Sequence, residues 1–225
     1  MLKIKNLSKA YGNTTIIQNL NMKIQKGQKV CLFAPSGTGK TTLINIINGL
    51  IDSYSGQIIN EAKSISTIFQ APDLFWYKTV RENILFPLKI KDIEFDDELK
   101  EYYESWLEIT DLKQHENHYP HELSGGMKQK VALARGFIFN PDLVLLDEPF
   151  NSIDIRAKDK SIRFILDNYP KSTFLFVTHT IEDIPKIADK IFLFREDMLS
   201  GFQEIKFSKE EKLSTIIKKI FEEIY

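Results

Sequence analysis

Ala34-Pro35-Ser36-Gly37-Thr38-Gly39-Lys40-Thr41-Thr42 sets two glycines, a lysine and four hydroxyl residues between an apolar run and an amphipathic stretch. A tight loop of this kind points backbone N–H groups inward. Together with the free N–H groups at the start of the following helix they make a concave anion site. Gly37 and Gly39 allow close backbone approach and unusual φ/ψ. Lys40 supplies a point charge for β- and γ-phosphates, and the Thr41 hydroxyl suits Mg²⁺. Ser36, Gly37, Thr38, Gly39, Lys40, Thr41 and Thr42 are therefore the candidate nucleotide contacts. Ala34 stands where this pattern usually has its first glycine, which is tolerable if the residue keeps a negative φ. The alternative is a glycine-bearing turn before an ordinary helix, with Lys40 solvated. Strand, loop, Lys-Thr pair and apolar helix together favour the nucleotide.

A second chemical cluster is Leu143-Val144-Leu145-Leu146-Asp147-Glu148-Pro149, an apolar strand tipped by two acids. Burying the strand leaves Asp147 and Glu148 at its C-terminal edge, where open α/β sheets bind ligands. Asp147 suits Mg²⁺, and Glu148 can orient or polarise an attacking water. Alone, the acids could be a helix cap or solvated groups. A phosphate loop upstream gives them a use.

Leu123-Ser124-Gly125-Gly126-Met127-Lys128-Gln129-Lys130 resembles the signature motif of ABC-type ATPases. Ser124 and two glycines at a helix start would present a hydroxyl, N–H groups and a positive dipole end, a second anion site. The surrounding order of residues extends the resemblance over residues 1 to 200. Tyr11 lies where the family has an adenine-stacking aromatic, and Phe69-Gln70 resembles the Q-loop. Asn151-Ser152-Ile153-Asp154 is similar to the D-loop but departs from its commoner Ser/Gly-Ala-Leu-Asp form, and Thr178-His179 matches the switch histidine. The resemblance implies that Tyr11 binds the base, that Gln70 touches Mg²⁺ and water, and that His179 contacts the γ-phosphate. Glu148, His179, Gln70 and Lys40 are then the catalytic set, and Thr41, Gln70 and Asp147 the metal set, with ATP and Mg²⁺ as cofactors.

The elements that must position these residues follow from the pattern of the chain. Short apolar strands alternate with helical segments, which predicts α/β architecture with a largely parallel sheet. Lys29 to Phe33 reads as the buried strand before the loop, and Leu43, Ile44, Ile46 and Ile47 as the apolar side of the helix after it. Further strands are expected at 64–69, 143–146, 173–177 and 191–194. Leu2, Ile4, Ile16, Ile17, Leu20, Met22 and Ile24 fall in turn-punctuated runs that predict an antiparallel β layer. From Pro72 to about Leu123 the β signal disappears and Tyr102, Tyr103, Trp106, Leu107 and Ile109 sit among charges, a helical pattern. The expected fold is a P-loop NTPase (RecA-like) α/β core with an N-terminal antiparallel β layer and an inserted helical subdomain. Residues 1–71 and 133–200 form the layer and core, 72–132 the helical subdomain and 201–225 a helical tail. From Lys209 to Tyr225, Leu213, Ile216, Ile217, Ile220, Phe221 and Ile224 recur at helical spacing, for packing on the domain or for a partner.

Composition removes several classes of function. Thirty Lys and Arg against 31 Asp and Glu give a net charge of −1 over 225 residues. That balance offers no global attraction to nucleic acid or to an anionic membrane. The lone cysteine, Cys31, sits in an apolar run and reads as a buried strand residue in a reducing compartment. No signal peptide and no apolar stretch near the ~18 residues of a spanning helix is visible, so the chain is expected not to cross a membrane itself.

The family resemblance further implies a head-to-tail pair in which each ATP is held by the phosphate loop of one copy and the signature of the other, with Asp154 facing across. It implies a transmembrane permease partner, a solute-binding protein in the complex, and a cytoplasmic place on the inner face of the membrane through that permease. Glu148-Pro149-Phe150, the region of Trp76 and Tyr119-Pro120-His121-Glu122 resemble the nitrate, sulfonate and taurine importer group, which includes relatives handling thiamine precursors. Pro72-Asp73-Leu74-Phe75-Trp76-Tyr77 is either the groove for a permease helix or ordinary core packing. The competing function is a soluble non-transport ABC ATPase, such as one in iron–sulfur cluster assembly.

Overall fold

A computed structural model describes residues 1–195, 197–208, 211 and 213–224, and within the last of these stretches the side chains of Leu213, Ile220, Glu223 and Ile224 are outside the description. Contacts divide the chain into two compact units. The first comprises Met1–Ile65, Asp142–Asp147 and Lys171–Tyr225, the second Ser66–Pro141 and Glu148–Pro170.

In the first unit, β1 (Leu2–Tyr11) and β2 (Thr14–Ile24) form an antiparallel hairpin, closed by a turn in which Gly12 has φ 56°. Their alternation buries Leu2, Ile4, Leu7, Ile17, Leu20, Met22 and Ile24. A third strand, β4 (Ser55–Asn60), pairs antiparallel with β1. Its Ser-Gly-Gln opening carries no apolar periodicity, so the sequence gives little sign of it.

The second sheet holds β3 (Lys29–Phe33), β6 (Leu143–Asp147), β7 (Thr173–Val177) and β8 (Lys190–Leu193). They lie side by side in the order β6-β7-β3-β8, all parallel, with β9 (Gln203–Lys206) antiparallel on β8. Parallel strands buried on both faces read as unbroken apolar runs, and β6 and β7 are buried at every residue. Cys31 is fully buried in β3. Helix α1 (Lys40–Ile47) follows β3 and buries Leu43, Ile44, Ile46 and Ile47. A short helix, α6 (Ile184–Ile187), precedes β8.

Residues 201–225 are not helical throughout. β9 occupies the start of that segment because Gln203 to Lys206 complete a sheet edge, a tertiary pairing that four polar-apolar residues do not announce. The helix α7 begins at Leu213 and ends at Ile224, burying Ile216 and exposing Phe221. Lys209 and Tyr225, the ends of the expected tail, lie outside the described residues.

Strand β5 (Ile65–Ile68) leads into the second unit, which contains α2 (Val80–Ile90), α3 (Asp97–Ile109), α4 (Gly125–Phe137) and α5 (Ile155–Asn168). Side-chain caps fix where each helix starts. Thr79 and Glu82 form a reciprocal capping box on α2, and Asp96, Ser124 and Asp154 cap the other three. Trp106 anchors the core of this unit. Its ring stacks on Phe137 at 5.9 Å, meets Phe164 edge-on at 5.0 Å, and its indole N–H donates to the Tyr169 hydroxyl at 3.2 Å. Phe164 ties α5 to this cluster, so contacts group α5 with the helices, whereas sequence boundaries at 72 and 132 leave it with the core. Among the described residues no helix is long and apolar enough to cross a membrane.

Candidate functional site

The phosphate loop emerges from β3 into α1 in the first unit. Ala34 is buried and is not among the residues with positive φ, so the condition for an alanine in place of glycine is met. Gly37 and Gly39 adopt φ 80° and 99°, the left-handed region that side chains resist. Gly39 is doubly constrained: a Cβ there would stand 2.3 Å from Cγ2 of Ile16 on β2. The hairpin thus presses directly on the loop, and only glycine fits between them. The Lys40 ammonium donates to the carbonyls of Ala34 at 2.9 Å and Pro35 at 2.6 Å, which holds the amine within its own loop. Thr38 is buried and its hydroxyl donates to Pro35 O at 2.9 Å, so its side chain shapes the loop. Ser36 and Gly37 are exposed at the tip, Thr42 is half-buried and Thr41 is exposed.

The Thr41 hydroxyl donates to Asp147 Oδ2 at 2.6 Å. Two hard oxygen donors, one from the loop and one from the strand, therefore already meet. That pairing fits Mg²⁺, which favours oxygen ligands and few protein groups. Asp147 ends β6 and pairs in register with Val177 of β7, while Leu32 of β3 pairs with the same Val177. His179 follows β7 by two residues and is exposed. Parallel pairing of these three neighbouring strands thus places the loop, Asp147 and His179 at one sheet edge. Tyr11 ends β1 in the same unit, half exposed.

The second unit carries the other residues. Gln70 follows β5 and is exposed. Glu148 is 4% exposed and has φ 50°, an uncommon conformation for a residue with a side chain and one that clusters at functional sites. Ser124 accepts from Met127 N at 3.3 Å as the cap of α4, leaving Gly125 with open space around it. Gly126 lies against the D-loop-like segment: a Cβ would come within 2.5 Å of the Ser152 carbonyl oxygen. Asp154 accepts from Ala157 N at 2.9 Å and lies 3.4 Å from the Lys130 ammonium. The Ala157 N–H, and after it Lys130, hold the Asp154 carboxyl below its ordinary range.

Sequence reasoning assigned no role to Gln129. Buried in α4, its amide donates to Phe69 O at 3.4 Å and to Pro149 O at 3.0 Å. It therefore bridges the backbone beside Gln70 and the backbone beside Glu148. Standing between Lys128 and Lys130, it gave the sequence no sign that it would be buried.

The aromatic stretch resolves into two parts. Phe75 packs against Phe86 of α2 at 4.5 Å and lies beneath the Arg135 guanidinium. Trp76 and Tyr77 are 77% and 54% exposed, so core packing does not account for them.

Comparison with known proteins gives one consistent answer. Residues 17–151 match the family model described as ABC transporter. The chain is 37% identical over 198 residues to the aliphatic sulfonates import ATP-binding protein SsuB of a Bacillus cereus strain, covering 84% of this chain and 77% of that protein. It is 37% identical to the spermidine/putrescine import ATP-binding protein PotA of Nitrosomonas eutropha, covering 85% of this chain but 56% of that longer relative. Among solved structures, the dimeric post-hydrolysis state of the ATP-binding cassette MJ0796 bound to ADP and Pi superposes with a TM-score of 0.80 at 28% identity, over 92% of this chain and 99% of that one. An ATP-binding subunit of an ABC transporter superposes at TM-score 0.83 and 21% identity over 98% and 99% of the two chains, a likeness of fold.

Proposed function

The chain belongs to the ABC transporter family, and from that membership we propose that it is the ATP-hydrolysing subunit of an importer for a small solute. The observation that carries the chemistry is the 2.6 Å bond between Thr41 and Asp147, which joins the phosphate loop to the acid-tipped strand. The names of SsuB and PotA, both import ATP-binding proteins, support the importer reading over a non-transport ATPase.

In this reading ATP lies on the loop with its base against Tyr11. Backbone N–H groups from Ser36 to Thr42 receive the phosphates, and Lys40 exchanges the Ala34 and Pro35 carbonyls for phosphate oxygens. Thr41 and Asp147, joined by Gln70, would hold Mg²⁺, which supplies charge neutralisation on the phosphates. Glu148 orients a water for attack on the γ-phosphorus and takes its proton as the bond to the ADP oxygen breaks. His179 steadies the γ-phosphate. Ser124, Gly125 and Gly126 serve the ATP of a second copy in a head-to-tail homodimer, a reading supported by the dimeric state of MJ0796. Two anion-binding helix starts on one chain then have separate uses.

A transmembrane permease is the working partner, and the chain sits at the inner face of the cell membrane through it, with a solute-binding protein completing the complex. The helical subdomain, residues 72–132, faces the permease, and Trp76 and Tyr77 help line the groove that takes its short helix. Trp76→Ala is expected to keep the ATPase rate of the isolated subunit and to lose about tenfold or more of the permease-stimulated rate, the scale of one aromatic hot spot. Phosphate release with and without the reconstituted permease checks this. Unchanged stimulation removes Trp76 from the docking groove.

A further inference from the structure

Lys9 lies two residues before Tyr11 on β1, and its ammonium sits over the Tyr11 ring, 4.5 Å from the centroid. The amine is pinned there, donating to Ser53 O at 2.6 Å and Ser53 Oγ at 2.7 Å. Lys9 is 8% exposed, whereas Tyr11 is 51% exposed. Lysine ordinarily carries its head group out to water. Here the charge is turned inward and spent on one face of a ring that is half exposed.

We propose that Lys9 is a positioning residue for base recognition: its fixed ammonium sets the orientation of the Tyr11 ring and draws π density toward itself, so that the open face stacks more firmly on an electron-rich adenine. The inference rests on the reading of Tyr11 as the base-stacking residue. Two physical effects act in the same direction. The cation–π contact and the two hydrogen bonds behind it limit the rotamers of an otherwise half-exposed aromatic, which lowers the entropy lost on stacking. Polarising the ring also makes its open face less negative, which favours contact with the π cloud of a purine. Neither effect reaches the phosphates, so the influence of Lys9 belongs to the base alone.

The test compares binding of ATP with binding of inorganic tripolyphosphate, which has no base, by calorimetry on the purified full chain. Lys9→Met is expected to raise the Kd for ATP about two- to tenfold, the range of a cation–π contact, and to leave tripolyphosphate unchanged. Lys9→Arg retains a cation over the ring and is expected to keep ATP affinity close to the parent. Tyr11→Ala is expected to weaken ATP more than Lys9→Met does, again without affecting tripolyphosphate. If Tyr11→Ala weakens ATP and Lys9→Met does not, the inference about Lys9 is overturned while the role of Tyr11 stands. If Tyr11→Ala leaves ATP affinity unchanged, the reading beneath it fails as well. Equal losses of ATP and tripolyphosphate in Lys9→Met would also overturn it, since the effect would then concern the phosphate loop or the fold rather than the base.

Discussion

Glu148→Gln is expected to bind MgATP with undiminished affinity and to release phosphate about 10²- to 10⁴-fold more slowly, the usual weight of a general base. The substitution keeps the volume of a side chain that is 4% exposed, and it keeps whatever strain accompanies φ 50°, because Gln meets the same steric limits as Glu. What changes is the ability to take a proton from water. The turn after it carries backbone bonds that the substitution leaves in place, Asn151 N donating to Glu148 O at 3.4 Å and Ile153 N to Phe150 O at 3.1 Å. ATP is then expected to persist and the closed dimer to accumulate. Phosphate release gives the rate, a fluorescent ATP analogue the affinity, and size-exclusion chromatography with MgATP the dimer. Near-normal turnover would remove Glu148 from the chemistry.

Lys40→Ala acts at the opposite step. The ammonium now held by Ala34 O and Pro35 O is the loop's cation for phosphate oxygens in this reading. A hydrogen bond to a charged group contributes about 1.5–3 kcal/mol, so its removal is expected to raise the Kd for ATP about 10- to 100-fold. Gly37 and Gly39 at positive φ and the Thr38 hydroxyl on Pro35 O still shape the loop in the variant. Titration with the fluorescent analogue measures the loss, and unchanged affinity contradicts the phosphate-loop reading. The two variants are thus expected to separate binding from turnover: Lys40→Ala to weaken the first, and Glu148→Gln to slow only the second.

Where chemistry requires several residue types at fixed spacing, the sequence was informative. The loop before α1 and the acids after β6 were legible because each combined an apolar strand with a specific polar terminus. Burial of Cys31 followed from its apolar run, and that of the four apolar residues of α1 from their helical spacing. Tertiary pairing was harder to see. β4 and β9 consist largely of polar residues that become strands because an edge is available to them. Exposure of Trp76 was equally hidden, since a tryptophan among aromatics reads the same inside or outside. At the site, Gly126 was legible as a residue of the signature but not for its reason, which is the carbonyl of Ser152 pressed where a side chain would be. Gln129 and Lys9 escaped altogether, because each acts by where its side-chain nitrogen ends, on Pro149 O and over Tyr11, and one-dimensional spacing does not encode that.

The central claim is that this ATPase works on a membrane-spanning partner. Its most direct test is to purify the tagged protein from detergent-solubilised membranes of its native host and to identify by mass spectrometry what accompanies it. The account predicts a polytopic membrane protein in stoichiometric amount, with a solute-binding protein alongside. Recovery from the soluble fraction alone, with soluble partners or none, would contradict the transport function.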